Sequence, residues 1–131
     1  QHISMANPFS SILRSYLVKI CDQKGLKYHK DGTVVTIEGP RFSTKAESHM
    51  FRSWGCDIIN MSTVPEVVLA KEKGIEYQAI AMSTDFDCWR ESEDEVTMDM
   101  VYATMKKNVE KVKDLIKTTI AELNNNTGKN L

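Results

Sequence analysis

Phe9, Ile12, Leu13, Tyr16, Leu17, Ile20 and Cys21 recur at the i, i+3, i+4, i+7 spacing of one helical face. This predicts an amphipathic helix that starts near Pro8 and stops at Gly25. From Lys27 to Glu38 the pattern turns extended, with a turn at Lys30-Asp31-Gly32 and a β-branched run from Thr33 to Ile37. Thr44-x-x-Glu47 is a capping box that opens a second helix through Met50, Phe51 and Trp54, ended by Gly55. An apolar strand over 56–61 follows, then a helix over 64–73 closed by Gly74, then a strand over 76–83. Arg90 to Val96 is charged and reads as a loop. Met98, Val101, Tyr102, Met105, Val109, Val112, Ile116 and Ile120 mark a long last helix, with a polar end from Asn124 to Asn130 expected to fray.

The predicted order is α-β-α-β-α-β-α. Such alternation argues for an α/β fold, a mainly parallel twisted sheet flanked by helices on both faces. Val34-Val35-Thr36-Ile37, Ile58-Ile59 and Ala79-Ile80-Ala81-Met82 are apolar on both faces, as central strands are. Three central strands call for more sheet and more helix than the chain encodes, so a second polypeptide or segment is expected against it.

The chemistry is expected at the strand ends, because ligands of open α/β sheets bind beyond the carboxyl ends of strands. Asn60-Met61-Ser62-Thr63-Val64-Pro65-Glu66 joins a strand to a helix. Its Thr63-x-x-Glu66 predicts a second capping box, and an exposed helix N-terminus suits an anion. Ser62 adds a hydroxyl there, and Met61 a soft apolar surface for a sugar or ring. The same run also reads as an ordinary strand–helix turn. Two further segments shift the balance. Gly39-Pro40-Arg41 forms a tight turn before Phe42, whose ring serves equally as core filling or as a stacking face for a flat heterocycle. Asp85 and Asp87 alternate along Thr84 to Trp89 and should point to one side, to accept from a ring N–H or amine. Alone, D-x-D is more often a solvated acidic loop. A divalent metal ranks below both readings, for want of a third ligand nearby. Arg41 reads as a surface charge rather than a phosphate ligand, and Lys45, Glu47 and Glu66 as helix-start electrostatics.

Composition narrows the classes. The 131 residues carry a formal net charge of −1, which leaves no basic footprint for nucleic acid and no basic membrane-binding face. No apolar run is long enough to span a bilayer. Cys21, Cys56 and Cys88 have no metal-type spacing and read as free thiols in a reducing compartment. His2, His29 and His49 have no partner at catalytic spacing, and no G-x-S-x-G occurs, so nothing suggests covalent catalysis.

Taken together, Glu38-Gly39-Pro40-Arg41-Phe42-Ser43, Asn60 to Glu66 and Thr84-Asp85-Phe86-Asp87-Cys88-Trp89 resemble the trimeric purine nucleoside phosphorylase and methylthioadenosine phosphorylase family, over His2 to about Ile120. The resemblance implies phosphorolysis of S-methyl-5′-thioadenosine to adenine and 5-methylthioribose 1-phosphate, in methionine and purine salvage. It implies no cofactor, with inorganic phosphate as co-substrate, and a homotrimer in the cytoplasm, with the nucleus as a second compartment. By resemblance, Phe42 flanks the purine and Ser43 lies at its edge. Met61 packs under the ribose. Ser62, where a threonine is often found, contacts phosphate. Asp85, the catalytic carboxyl, and Asp87 read the 6-amino group and N7. Val96, Met98, Val101 and Tyr102 line the alkylthio pocket, and His2 reaches a neighbouring subunit's pocket. Family members carry a longer N-terminal part with a glycine-rich phosphate loop and an Arg-His pair. On that pattern residues 1–131 form the C-terminal portion of one phosphorylase domain, active only with the remainder. The 6-oxopurine branch has a glutamate at Ser43 and an asparagine at Asp85, so both positions here favour adenine. A non-catalytic purine-binding fragment is the alternative of another class.

Overall fold

The structure, a computed structural model, describes residues 2–90 and 97–127. Helix α1 spans Ser11–Gln23, strand β1 Val34–Thr36, helix α2 Lys45–Ser53, strand β2 Ile58–Asn60, helix α3 Thr63–Glu72 and helix α4 Met98–Thr127. Strands β1 and β2 pair in parallel, with Val34 opposite Ile58, Val35 opposite Ile59 and Thr36 opposite Asn60. A parallel pair needs a crossover between its strands, and α2 supplies it.

The helix boundaries follow local chemistry. At α1 the Ser10 hydroxyl accepts from Leu13 N–H, and the Ser10 N–H donates to Tyr77 O at 2.7 Å, tying the helix start to the segment after α3. Gly25, at φ 61°, turns the chain so that Leu26 N–H reaches back to Cys21 O. Helix α2 opens with the predicted capping box, Thr44 with Glu47. Helix α4 packs along α1. Ile20, Cys21 and Leu115 form the buried cluster between them, with Leu17, Leu26 and Ile80 against it. Lys19–Glu122 at 3.0 Å, Lys24–Asp114 at 2.6 Å and an Asn126–Tyr16 hydrogen bond border that seam.

Three expectations are corrected. Segment 76–83 is not a strand: it joins neither β1 nor β2 in a ladder, and the sheet of the described residues has two strands. An apolar run becomes a strand only when a neighbour accepts its hydrogen bonds, and composition does not supply that neighbour. The end of α4 does not fray at Asn124 but continues to Thr127, because its last turns lie against α1 through Glu122 and Asn126. The order is therefore α-β-α-β-α-α among the described residues. The expected loop from Arg90 to Val96 lies, beyond Arg90, outside them.

All six strand residues are only half-buried. The chain exposes 10143 Å², against about 7000 Å² for a compact monomer of its mass.

Ile20 has 0% exposure at the α1–α4 seam. Ile20→Ala is expected to cost about 2–5 kcal/mol, read as a lower urea midpoint with an unchanged slope. A loss below about 1 kcal/mol would mean that this seam does not hold the structure.

Candidate functional site

Because β1 and β2 run in parallel, their carboxyl ends open on the same edge. The chain leaving β1 becomes Gly39-Pro40-Arg41-Phe42-Ser43, and the chain leaving β2 becomes Met61-Ser62. The two touch: a Cβ on Gly39 would lie 2.9 Å from Met61 Sδ, so only glycine leaves that side chain its place. The segment after α3 completes a broad depression of about 1610 Å³, lined by Phe42, Ser43, Met61, Ser62, Asp85, Asp87 and Val101 among others.

Helix α2 mounts two of these walls. Arg41 forks onto Glu47 at 2.7 and 2.8 Å and donates to Phe42 O at 3.0 Å. The Glu47 carboxylate also accepts from Thr44 N–H and Oγ1. The Arg41 hydrogen bond first, and the Thr44 bonds after it, hold Glu47 down to about 2. Arg41 is thus a surface ion-pair residue, as the sequence suggested. Phe42 is 63% exposed, so within this chain its ring fills no core. Ser43 O accepts from Cys88 Sγ at 3.4 Å, so the Phe42 and Asp87 loops meet there. The Ser43 hydroxyl is buried with no hydrogen-bond partner. Such a group is costly unless something else satisfies it.

The aspartates sit in different settings. Asp85 lies at a bend and accepts from Thr84 Oγ1. Asp87 accepts from Ser48 Oγ of α2 at 2.5 Å and from Cys88 N–H at 2.9 Å. Arg52 of α2 stacks on Trp89 at 3.9 Å, and Arg90 on Phe86 at 3.9 Å, which pins the loop that carries both carboxylates. Burial pushes the Cys88 thiol up, away from nucleophilic character.

The second capping box is overturned. Ser62 is the N-cap of α3 and makes no capping bond, and Thr63 is already helical. Asn60 does the capping: its Oδ1 accepts from Thr63 N–H at 3.3 Å and its Nδ2 donates to Thr63 Oγ1. Glu66 does not reach back, because it accepts from Tyr77 OH at 2.6 Å, a bond that pushes the Tyr77 phenol up to about 12. Asn60 was missed as a site organiser. Its N-x-x-T spacing to Thr63, an asparagine three residues ahead of a helical threonine, was the available signal.

Of the expected alkylthio residues, Val101 lines the depression and Tyr102, 62% exposed, does not. The helix turns by about 100° per residue, which carries Tyr102 out of the depression and into solvent. Met100 and Met105 of α4 line it as well. Val96 lies outside the described residues, and Met98 is placed only as the first residue of α4. His2 is exposed and does not line this depression. Among the described residues no group of three His, Cys, Asp or Glu side chains is placed to hold a metal ion.

Residues 1–121 match the model of the phosphorylase superfamily. The chain belongs to that superfamily. Across 122 residues it is 53% identical to the S-methyl-5′-thioadenosine phosphorylase of Xenopus tropicalis and 55% identical to that of Danio rerio, 93% of this chain in each case. It spans only 43% and 44% of those relatives. Methylthioadenosine phosphorylase from Schistosoma mansoni in complex with adenine superimposes with a TM-score of 0.89 at 38% identity, over 94% of this chain and 49% of that one. A mutant of the Schistosoma mansoni enzyme in complex with methylthioadenosine matches at 0.87 and 37% identity, over 94% and 47%. The phosphorylase fold is thus present in part, as mixed helix and parallel strands.

The depressed carboxyl of Glu47 gives a test of the Arg41 clasp. Its stabilising effect is fully present above the ordinary value of 4.5 and is lost as the pH falls through about 2. A carboxyl NMR titration should place Glu47 near 2 in the unaltered protein and move it toward 4.5 in Arg41→Ala. A midpoint near 4.5 in both proteins would remove the clasp from the Phe42 loop.

Proposed function

We propose that this chain supplies the purine and sugar walls of a methylthioadenosine phosphorylase. Assembled with a complementary segment, it converts S-methyl-5′-thioadenosine and inorganic phosphate to adenine and 5-methylthioribose 1-phosphate. The observation that carries this reading is one depression with an exposed Phe42 ring, an unpartnered Ser43 hydroxyl, two carboxylates, Asp85 and Asp87, and Met61 between Gly39 and the basin. A flat heterocycle with an exocyclic amine meets each of these needs: a face to stack on, a partner for the hydroxyl, and donors for the carboxylates.

The chemistry needs no side-chain nucleophile. The C1′–N9 bond breaks as the ribose takes on oxocarbenium character. A phosphate oxygen bonds to C1′ from the opposite face. The purine leaves with the bond's electron pair, and a proton or hydrogen bond at N7 stabilises it, offered from the Asp85–Asp87 side. Positioning and electrostatics carry the rate. Ser62, at the N-cap of α3 with its hydroxyl free of capping, is assigned to phosphate, and Val101 to the 5′-alkylthio group.

Size and surface support a complementary segment. The depression of about 1610 Å³ exceeds the 300–1000 Å³ usual for a small-molecule site. The surface in excess of a compact monomer, about 3000 Å², is on the scale of an obligate interface. The remaining phosphorylase segment is the proposed cover, with trimeric association of the completed unit. A 6-oxopurine substrate is disfavoured, because Asp85 offers acceptors only when ionised and a 6-oxo group needs a donor.

Asp85→Asn tests the assignment of the base. In the assembled protein the ratio of kcat/KM for methylthioadenosine over inosine should fall by at least about tenfold, since a buried site built for one hydrogen-bonding pattern discriminates strongly against another. An unchanged ratio would remove Asp85 from base recognition.

A further inference from the structure

Two observations about Asp87 are independent of its proximity to the basin. Its Oδ2 accepts from Ser48 Oγ at 2.5 Å, and its Oδ1 from the N–H of Cys88 at 2.9 Å. Ser48 is 1% exposed, on the first turns of α2, a helix whose start is fixed by the Thr44–Glu47 box. The carboxylate itself sits on a loop outside regular structure. A loop aspartate has two rotatable side-chain torsions, and an unheld carboxylate would sample several orientations. One donor on each oxygen removes that freedom and leaves one position on each oxygen for the basin, a lone pair for an N–H or, in the protonated acid, an O–H for a ring nitrogen. The donor on Oδ1 belongs to the same loop and moves with it. The donor on Oδ2 comes from a buried helix position and does not. Ser48 therefore sets where Asp87 points relative to Phe42 and Ser43, which the same helix carries at its N-terminal end.

We propose that Ser48 is a positioning residue for purine recognition: its hydroxyl aims the Asp87 carboxyl at the N7 edge of the base, without touching the base itself. The inference rests on the reading of the depression as a purine site. It adds a specificity determinant one hydrogen bond behind Asp87 in the basin's lining, with α2 as the common mount of the ring-stacking and carboxylate walls. The Arg52–Trp89 stack, about one turn further along α2, holds the same loop from its other end.

The test compares adenine with 7-deazaadenine, in which a C–H replaces N7, by calorimetry on the chain assembled with its complementary segment. Asp87→Ala is the reference. It should weaken adenine by about tenfold or more and 7-deazaadenine by less than about threefold. Ser48→Ala should move the ratio in the same direction, with adenine weakened by roughly three- to tenfold and the phosphate KM unchanged. Ser48→Cys, which keeps the volume but offers a weak donor, should fall between Ser48→Ala and the unaltered protein. It decides the matter if Ser48→Ala does not fold. If Asp87→Ala moves the ratio and neither Ser48 variant does, or if they weaken both bases equally, Ser48 is only a structural hydroxyl and the inference is wrong. If Asp87→Ala itself leaves the ratio unmoved, the purine reading of Asp87 fails, and the role of Ser48 falls with it.

Discussion

The parallel pairing of β1 with β2 is the constraint on which the rest depends. Parallel strands emerge on the same edge, so the chain after Thr36 and the chain after Asn60 must meet there. That places Phe42 around one depression with Met61 and Ser62, although it is far from them in sequence. Asn60 reinforces the arrangement, since its side chain accepts from Thr36 Oγ1 across the pair and caps α3 at the same time. A one-residue slip in register would reverse the facing of the slipped strand's side chains and break the Thr36–Asn60 bond.

Helix α2, the crossover that this pairing requires, does more than connect. Its first turn binds Arg41 and so the Phe42 loop. Ser48 binds Asp87, and Arg52 stacks on Trp89. The connection that makes the parallel pair possible thereby fixes the spacing between the aromatic and carboxylate walls. By contrast, the fully buried core is small and lies elsewhere, between α1 and α4. The basin's walls are thus held mainly by hydrogen bonds, ion pairs and stacking on a half-buried sheet. Interactions of that kind are strengthened when water is excluded, which a covering segment would do.

Much of this was legible in the residues. The α1 face follows the helical period through Leu17, Ile20 and Cys21, but α4 meets it through Leu115, which the predicted face of α4 left out, while Ile116 and Ile120 of that face stay exposed. The Thr44–Glu47 box is local chemistry and appears as written. The clusters around Phe42, Met61 and Asp87 each follow an apolar run, and strand-end logic placed them together. The misses have a common cause, since each depended on a long-range partner. Segment 76–83 has strand composition but no ladder. Glu66 was free to cap α3 in sequence, but Tyr77 takes its carboxylate. The polar tail of α4 stays helical because α1 lies beside it. Ser48 carried no signal at all: a serine inside a helix is ordinary until a loop from 39 residues away brings a carboxylate to it.

The central claim is that these walls become an active phosphorylase site when a complementary segment closes them. The direct measurement is phosphate-dependent release of adenine from S-methyl-5′-thioadenosine. It compares the chain alone with the chain co-expressed with the part of the Danio rerio relative that it does not cover. The account predicts a stable complex in which adenine and a sugar 1-phosphate appear together, only when phosphate is present, and no turnover by the chain alone. Full turnover by the isolated chain, or a stable complex that releases no adenine, would contradict it.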